Sequence, residues 1–299
     1  MQLLNKFNHN TKIIGVVGHP IKHSFSPLMH NLAFQLGNLE YIYLPFDVPV
    51  SGLKDAVKGI KALGIKGLNV TIPHKEKIMP FLDNVSEEAG IIGAVNTVVN
   101  ENGILSGYNT DVNGIIETLN GFRDEIADSE VTIIGAGGAA RSVIFTLIRY
   151  FKVGKINIVN RTEQKAETLK DYFTVKMFFE NIKAYGLVPP DLTNLFKRSK
   201  LIINSSSIGM FPEKEDSATF IQESFMKDQI VFDLVYNPVK TNFLKIAESQ
   251  GATVLNGLRM FIAQGSRSFE LWTGQEMPNK KIYKTLKGYM EGESTPKSK

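Results

Sequence analysis

Six polar side chains in the first 111 residues have the chemistry of a site for a small, hydroxyl-rich ligand. They are Ser24, Ser26, Thr71, Lys75, Asn96 and Asp111. We expect them at the ends of strands, and such a ligand needs donors and acceptors on every edge. Each also has a purely structural interpretation, since Ser26 and Asp111 can cap helices and Asn96 can serve a turn. Taken together, the six side chains favour a binding site.

A glycine-rich turn in the middle of the chain is the second feature with a chemical use. Four residues typical of a buried strand, 131–134, lead into the run Gly135, Ala136, Gly137, Gly138, Ala139 and Ala140. This is the G-x-G-x-x-A form of the dinucleotide-binding turn, whose first glycine makes a tight turn and whose second lets a pyrophosphate approach the main chain. The helix predicted over 139–150 would aim its free amides at the phosphates. The pattern therefore predicts a dinucleotide site.

The residues after the next predicted strand, 155–159, indicate which dinucleotide is bound. A protein that prefers NAD has Asp or Glu here to hold the ribose 2′-hydroxyl, whereas this chain has Asn160, Arg161, Thr162 and Lys165. A carboxylate would repel a 2′-phosphate, while cationic and hydroxyl side chains bind it. Arg161 can also be an ordinary surface charge, but its position favours NADP as the cofactor.

Composition excludes several other kinds of protein. The 299 residues have room for two domains, and 43% hydrophobic with 21% charged residues is typical of a soluble globular protein. The net charge of +4 is scattered along the chain, so we expect no nucleic-acid partner. Cysteine is absent and Pro20 separates His19 from His23, so we expect no disulfide and no metal site. The first residues do not resemble a signal peptide and no apolar run is long enough to span a membrane, which predicts a cytoplasmic protein without a membrane partner.

Predicted strands alternate with predicted helices along most of the chain, which is typical of the α/β class. Ser26 is predicted to cap the first helix, and a strand is predicted over 94–97. After the glycine turn, further strands end in polar or glycine-containing loops, where ligands of a doubly wound sheet bind; they are predicted at 200–204, 230–234 and 253–255. A helix predicted over 260–273 either ends a simple two-domain chain or returns to the first domain.

Eight stretches, in this order and spread over nearly the whole chain, resemble the shikimate dehydrogenase family. They are HPIKHSFSP at 19–27, NVTIPHK at 69–75, GAVNT at 93–97, YNTD at 108–111, GAGGAAR at 135–141, NRT at 160–162, DLVYNP at 233–238 and the segment 257–264. The resemblance implies reversible NADPH-dependent reduction of 3-dehydroshikimate to shikimate, a step in chorismate and aromatic amino acid biosynthesis. It also implies an N-terminal substrate-binding domain of residues 1–112 and 260–299 and a Rossmann-type, doubly wound NADP-binding domain of residues 113–259. The C-terminal helices would return to the first domain.

The resemblance further implies which side chains bind and react. Ser24 and Ser26 would hold the substrate carboxylate. The other substrate-binding residues would be Thr71, Lys75, Asn96, Asp111, Tyr236 and Gln264. Gly257 and the loop from Asn204 would line the nicotinamide end of the cofactor site, and Leu234 would be a further cofactor-binding residue. Lys75 and Asp111 would form the catalytic pair, because a secondary alcohol must lose its hydroxyl proton to a base when it is oxidised. We assign the proton transfer to this pair, and we favour Lys75 over Asp111 as the residue that carries the proton.

Three positions depart from the usual pattern of this family. Arg259 stands where glycine is common, Val112 follows Asp111 where glycine is frequent, and Lys165 replaces a common arginine. Two alternatives stay open: a quinate/shikimate dehydrogenase that uses NAD, since such related enzymes share much of this pattern, and a regulatory protein that binds NADP(H) without turnover. The expected assembly is a monomer or a homodimer.

Overall fold

Two six-stranded sheets organise the chain, one in each of two packed units. The computed structural model describes residues 8–219 and 221–292. Of these, 8–110 and 262–286 form the first unit, and 111–261 with 287–292 form the second. Both units combine strands and helices, which confirms the predicted α/β class. Residues 1–7 and 293–299, which the sequence prediction assigns to the substrate-binding domain, lie outside the described residues.

The first unit is built on a mixed sheet. Its elements up to residue 110 are β1 (Lys12–Gly18), α1 (Ser26–Leu36), β2 (Tyr41–Asp47), α2 (Leu53–Ala62), β3 (Gly67–Val70), β4 (Asn84–Val85), α3 (Glu87–Ile92), β5 (Thr97–Glu101) and β6 (Ile104–Tyr108). The strand order is β2-β1-β3-β5-β6-β4, with β1 parallel to β2 and β3, and with β5 antiparallel to β3 and β6. Val57 and Ile60 on one face of α2 are buried in a cluster with Leu68, Val70 and Val98 of the sheet. This apolar cluster fixes the strand ends that carry the predicted site.

Local hydrogen bonds explain where α3 begins and ends. The hydroxyl of Ser86 accepts a hydrogen bond from the Ala89 amide at 3.3 Å, which satisfies one of the free amides at the start of the helix. Gly93 ends the helix with a φ of 72°, a left-handed conformation that costs glycine little. The chain therefore turns sharply at Gly93, and Asn96 lies directly before β5.

The predicted helix cap at Ser26 is wrong. Phe25 precedes α1 with the helical angles φ −86° and ψ −2°, no side chain caps this end, and Ser26 is the first helical residue. Asp111 is likewise the first residue of its helix rather than the residue before it. The strand predicted over 94–97 is also misplaced, because β5 begins at Thr97. The Val95 amide donates to the carbonyl oxygen of Lys75 at 2.8 Å, outside the sheet, although the Asn96 amide still donates to the carbonyl oxygen of Tyr108 at 3.0 Å.

The second unit contains a parallel sheet. Its elements are α4 (Asp111–Leu119), α5 (Arg123–Ile126), β7 (Glu130–Ile134), α6 (Gly138–Thr146), β8 (Lys155–Asn160), α7 (Glu163–Met177), β9 (Ile182–Gly186), α8 (Pro189–Arg198), β10 (Leu201–Asn204), β11 (Ile230–Asp233), α9 (Asn242–Ser249) and β12 (Thr253–Leu255). The helix predicted over 139–150 is shorter, because the π-helical turn Leu147–Phe151 follows α6. The strand order is β12-β11-β10-β7-β8-β9, with every pair parallel. Counted from the first strand of this unit, the order is 3-2-1-4-5-6 read from β9, which is the Rossmann arrangement.

The last two helices are α10 (Leu258–Thr273) and α11 (Asn279–Met290). Residues 262–286 belong to the first unit, so the prediction that C-terminal helices return to that domain is confirmed. Trp272 anchors α10 there, because its indole nitrogen donates to the carbonyl oxygen of Val98 at 3.0 Å. A Cβ at Gly67 would lie 2.3 Å from the same indole nitrogen, so only glycine allows this approach. Across residues 8–219 and 221–292, no helix is long and apolar enough to cross a membrane.

Candidate active site

The glycine turn lies at the end of β7, at the point where the strand order reverses. Gly135 has a φ of 107°, and a Cβ there would lie 2.9 Å from Ser205 Oγ in the loop after β10. Gly137 precedes α6 with an extended conformation, and nothing lies within 4 Å of the position that its Cβ would take. No side chain caps this end of α6, so none of its first amides is used in a side-chain cap. The turn therefore has the room and the donors that a pyrophosphate requires.

The end of β8 carries the predicted 2′-phosphate site. Asn160 is the last residue of the strand, and its side-chain amide donates to the carbonyl oxygen of Thr162 at 2.8 Å, which shapes the turn into α7. Arg161, Thr162 and Lys165 are exposed, and the Thr162 hydroxyl does not cap the helix that follows it. The structure thus presents two cations and a hydroxyl together at this strand end, a set that suits a phosphate.

The loops after β10 and β11 form the other end of the predicted cofactor site. The Leu234 amide donates to the carbonyl oxygen of Asn204 at 2.9 Å, which ties the two loops together. A Cβ at Gly257 would lie 2.1 Å from the carbonyl oxygen of Leu234, so the chain can pass here only as glycine. Leu234 and Gly257, both predicted to bind the cofactor, are therefore in direct contact.

A buried carboxylate, which the sequence analysis did not identify, organises these loops. Asp233 is fully buried at the end of β11 and accepts hydrogen bonds from the Val235 amide at 3.0 Å, from Asn204 Nδ2 at 2.9 Å and from Thr241 Oγ1 at 2.6 Å. Burial raises the pKa of Asp233 to about 7, although these three hydrogen bonds lower it. A charged residue at the end of an otherwise apolar strand was the available signal in the sequence.

Two side chains of α10's first turn contact other parts of the second unit. The ring of Phe261 stacks on Tyr236 with the ring centres 4.3 Å apart and an interplanar angle of 22°. Arg259 forms an ion pair with Glu117 of α4, with 2.8 Å between Nη2 and Oε1. The departure at Arg259 is therefore accompanied by an acidic partner in the same unit.

The first unit carries the two serines in the loop between β1 and α1. The Ser26 amide donates to Ser24 Oγ at 3.3 Å, and the Ser26 side chain is almost buried at the start of the helix. The N-terminal end of an 11-residue helix favours a negative group through its free amides and its dipole. The two hydroxyls therefore lie at a place suited to a carboxylate.

Thr71 and Lys75 lie on the segment that follows β3. The His74 amide donates to the carbonyl oxygen of Thr71 at 2.8 Å, and the buried His74 ring is bonded through Nε2 to the carbonyl oxygen of Val48 at 2.7 Å. The carbonyl oxygen of Lys75 accepts from the Val95 amide. Backbone anchors on both sides thus hold Lys75, whose side chain is half-buried.

Asn96 and Gln264 are brought together within the first unit, although 168 residues separate them in the sequence. Asn96 Nδ2 lies 3.5 Å from Gln264 Oε1 and 3.0 Å from Thr110 Oγ1, while Asn96 Oδ1 accepts from the Thr110 amide at 2.7 Å. The structure therefore places Ser24, Ser26, Thr71, Lys75, Asn96 and Gln264 in the first unit. Asp111, Tyr236 and all the predicted cofactor residues belong to the second unit.

A fully buried histidine, His30, lies on α1 of the first unit. The ring of His30 stacks on Tyr43 with the centres 4.5 Å apart and meets the edge of Trp272 at 5.3 Å. Burial among these aromatic rings lowers the pKa of His30 to about 3. His30 is therefore neutral at physiological pH. Among the described residues, no group of three or more His, Asp or Glu side chains could hold a metal ion.

A Rossmann unit with an open glycine turn, joined in one chain to an α/β unit rich in hydroxyl, amide and amine side chains, defines a dinucleotide-dependent dehydrogenase. Sequence profiles match three parts of the chain: the shikimate dehydrogenase substrate binding domain at 16–98, shikimate / quinate 5-dehydrogenase at 118–238 and the shikimate 5′-dehydrogenase C-terminal domain at 257–287. The chain belongs to the shikimate dehydrogenase family. It is 44% identical over 289 residues to shikimate dehydrogenase (NADP(+)) of Caldanaerobacter subterraneus subsp. tengcongensis, which covers 95% of this chain and 100% of that protein.

Solved structures agree with this assignment. A shikimate dehydrogenase in complex with NADP+ is similar with a TM-score of 0.86 and 40% identity, over 95% of this chain and 97% of that one. Shikimate 5-dehydrogenase from Listeria monocytogenes, in complex with shikimate and NAD, is similar with a TM-score of 0.82 and 36% identity, over 94% of this chain and 98% of that one. The predicted pair of a substrate domain and a Rossmann-type domain is thereby confirmed.

Proposed function

We propose that this protein is an NADP-dependent shikimate dehydrogenase that reversibly reduces 3-dehydroshikimate to shikimate. The observation that carries the proposal is the 44% identity to a shikimate dehydrogenase (NADP(+)) along that relative's entire length. The geometry supports it, because one unit offers an open pyrophosphate turn beside exposed cations and the other offers serine hydroxyls and amides. The proposal also takes the substrate-binding domain as residues 1–112 and 260–299, and the NADP-binding domain as 113–259.

The first unit would bind the substrate. Ser24 and Ser26, at the start of α1, would bind the carboxylate, and a helix N-terminus adds a favourable field there. Thr71, Asn96 and Gln264 would contact the hydroxyl groups, together with Asp111 and Tyr236. A ring with three hydroxyl groups needs several fixed donors and acceptors, which these side chains supply.

The second unit would hold the cofactor. The amides of Gly137 to Ala140 would bind the pyrophosphate, and Arg161, Thr162 and Lys165 would bind the 2′-phosphate. Asn160 shapes that strand end, and Gly135 and Ala136 form the turn itself. The nicotinamide supplies or accepts the hydride. Lys75 and Asp111 would move the proton on the substrate oxygen, giving it during reduction and taking it during oxidation.

Turnover by the purified chain tests this function directly. Shikimate and NADP⁺ are mixed with the enzyme and the absorbance of the reduced nicotinamide is followed near ~340 nm. A rise that depends on both compounds supports the proposal. Binding of NADP⁺ without any turnover would instead favour the regulatory protein that binds the cofactor as a sensor.

A quinate/shikimate dehydrogenase is the second candidate, because the profile that matches residues 118–238 describes both activities. The same assay with quinate in place of shikimate, and with NAD⁺ in place of NADP⁺, gives four values of kcat/KM. The exposed cations after β8 predict that NADP⁺ is preferred with either substrate. A higher kcat/KM for quinate than for shikimate would favour the second candidate.

We further propose that the protein is cytoplasmic, works as a monomer or homodimer and binds no nucleic acid. The scattered charges of a chain with a net charge of +4 support the last point. Light scattering of the purified protein measures the mass, and fractionation of cells measures the location. A stable tetramer or a membrane-bound fraction would contradict these assignments.

A further inference from the structure

Ser268 is a fully buried hydroxyl on α10 with four hydrogen-bonding neighbours, all within the first unit. Its Oγ lies 2.8 Å from Thr97 Oγ1 and 3.1 Å from Thr110 Oγ1. It accepts a hydrogen bond from Asn69 Nδ2 at 3.1 Å and donates to the carbonyl oxygen of Gln264 at 3.0 Å. A hydroxyl buried this deeply must be satisfied by protein partners, so its neighbours are held in place as a group.

The amide of Asn96 has one orientation in this group. A backbone amide can only donate, so the atom 2.7 Å from the Thr110 amide must be Asn96 Oδ1. Asn96 Nδ2 consequently faces Thr110 Oγ1 at 3.0 Å and Gln264 Oε1 at 3.5 Å. The 3.5 Å separation is at the outer limit of a hydrogen bond, and it is the contact that a ligand can replace at least cost.

A chain of hydrogen bonds links the side chain of Asn96 through the Thr110 hydroxyl to Ser268. When Thr110 accepts from Asn96 Nδ2, its own proton can go to Ser268, and the Ser268 proton goes to the Gln264 carbonyl oxygen. The Thr97 hydroxyl has one proton, with Ser268 Oγ at 2.8 Å and Asn96 Oδ1 at 3.1 Å both within reach as acceptors, and either hydrogen bond is compatible with this orientation of Asn96. Hydrogen bonds linked in this way strengthen one another.

We propose that Ser268, with Thr97 and Thr110, is a positioning residue that fixes Asn96 as a hydrogen-bond donor toward the substrate. The proposal rests on the proposed function. A substrate hydroxyl would enter between the two amides, accept from Asn96 Nδ2 and donate to Gln264 Oε1. Only a hydroxyl can do both at one oxygen, so this pair selects a hydroxyl over a hydrogen atom or an ether at that position.

Ser268→Ala tests the proposal, with Ser266→Ala on the same helix as the matched control. Ser268→Ala should raise KM for shikimate about 3- to 10-fold, the usual worth of one net hydrogen bond, and leave KM for NADP⁺ unchanged. Ser266→Ala should change neither value. In an Asn96→Ala background, Ser268→Ala should add less than about a twofold loss, since groups that act as a unit lose their effect once.

Two further substitutions keep the test decisive if Ser268→Ala folds poorly. Thr97→Val preserves the shape of the side chain and removes its hydroxyl, so it should reproduce the rise in KM for shikimate, whereas Thr97→Ser keeps the hydroxyl and should restore most of the affinity. Asn96→Asp is nearly isosteric but has no N–H to donate. It should lose at least as much shikimate affinity as Asn96→Ala.

The outcomes separate the two proposals. A wild-type enzyme that does not oxidise shikimate overturns the proposed function and the role of Ser268 that rests on it. An active wild type whose Ser268→Ala variant melts earlier but keeps its KM for shikimate makes Ser268 purely structural. Asn96→Asp with a wild-type KM shows that Asn96 accepts rather than donates, and full multiplicative losses in the double variant show that Ser268 acts independently of Asn96.

Discussion

Gly135 and Gly137 belong to the same turn, yet the structure predicts opposite effects when each is replaced by alanine. Gly137 is extended and has no atom within 4 Å of its Cβ position, so alanine fits the folded chain. A glycine-to-alanine change at such a site stabilises by about 0.4–1 kcal/mol, because the unfolded chain loses freedom. This corresponds to a rise in melting temperature of roughly 1–4 °C. Gly135 has a φ of 107°, and Ser205 Oγ lies 2.9 Å from the position of its Cβ. Gly135→Ala should therefore destabilise the folded protein by at least about 1–2 kcal/mol.

Although Gly137→Ala should stabilise the folded chain, it should weaken cofactor binding. The open space beside it is where a pyrophosphate would meet the amides of α6, and a methyl group there would push the phosphates out of hydrogen-bonding range. Each charge-assisted hydrogen bond is worth about 1.5–3 kcal/mol, so Gly137→Ala should raise KM for NADP⁺ by roughly 10- to 100-fold. KM for shikimate should stay within about twofold, because the proposed substrate residues around Asn96 belong to the first unit.

Thermal unfolding without cofactor and steady-state kinetics measure both effects. Gly137→Ala enzyme that melts at or above the wild-type temperature and has lost NADP⁺ affinity supports the geometry. An unchanged KM for NADP⁺ would mean that the phosphates do not lie against Gly137, and the placement of the pyrophosphate would be wrong. Gly135→Ala enzyme as stable as the wild type would refute the steric argument.

Three further outcomes follow from the site. Arg161→Ala should raise KM for NADP⁺ far more than KM for NAD⁺, with a loss of about 1.5–3 kcal/mol, and an equal rise for both cofactors would make Arg161 structural. Lys75→Ala should lower kcat by about 10²–10⁴ with NADP⁺ binding unchanged, and adding Asp111→Asn should cost little more, whereas independent losses that multiply would show that the two do not act as a pair. The pKa of His30 is lowered from 6.5 to about 3 in the folded protein. Between these pH values His30 is protonated in the unfolded chain and neutral in the folded protein, so protonation favours unfolding. The stability present above pH 6.5 is therefore lost progressively as the pH falls toward 3. The free energy of unfolding, measured with urea, should therefore be roughly 1 kcal/mol lower at pH 5.5 than at pH 7.5, and His30→Phe should lack this loss. An equal loss of stability in the two proteins would contradict the assignment to His30.

The glycine turn could be predicted from the sequence because its determinants are local. A strand, a glycine that needs a positive φ, and the start of a helix all lie within 131–146, and the structure has them there. The exposed cations after β8 are equally local, since they need only the end of one strand. Local patterns also misled, because Ser26 is followed by Pro27 and so resembles a helix cap. Phe25 has helical angles instead, and the helix begins at Ser26.

The polar network behind Asn96 could not be predicted, because no local pattern joins its members. Asn69 and Ser268 are 199 residues apart in the sequence and meet only when α10 returns to the first sheet. Each residue alone is an unremarkable polar position in a strand or a helix. Only the fold places their side chains within 3.1 Å of each other and removes them from water.

Arg259 illustrates how tertiary structure decides what an unusual residue does. In sequence, a cation at a position where the family commonly has glycine suggests an effect on the nicotinamide end of the site. In the structure, its guanidinium pairs with Glu117 at 2.8 Å, and both side chains are more than half exposed. Water screens such a pair, so its contribution is about 0–1 kcal/mol, and the carboxylate offsets the positive charge locally. Gly257, two residues earlier, keeps the close approach to Leu234 that a side chain would block. The steric requirement for glycine is therefore confined to Gly257, and Arg259 is accommodated at the surface of the second unit.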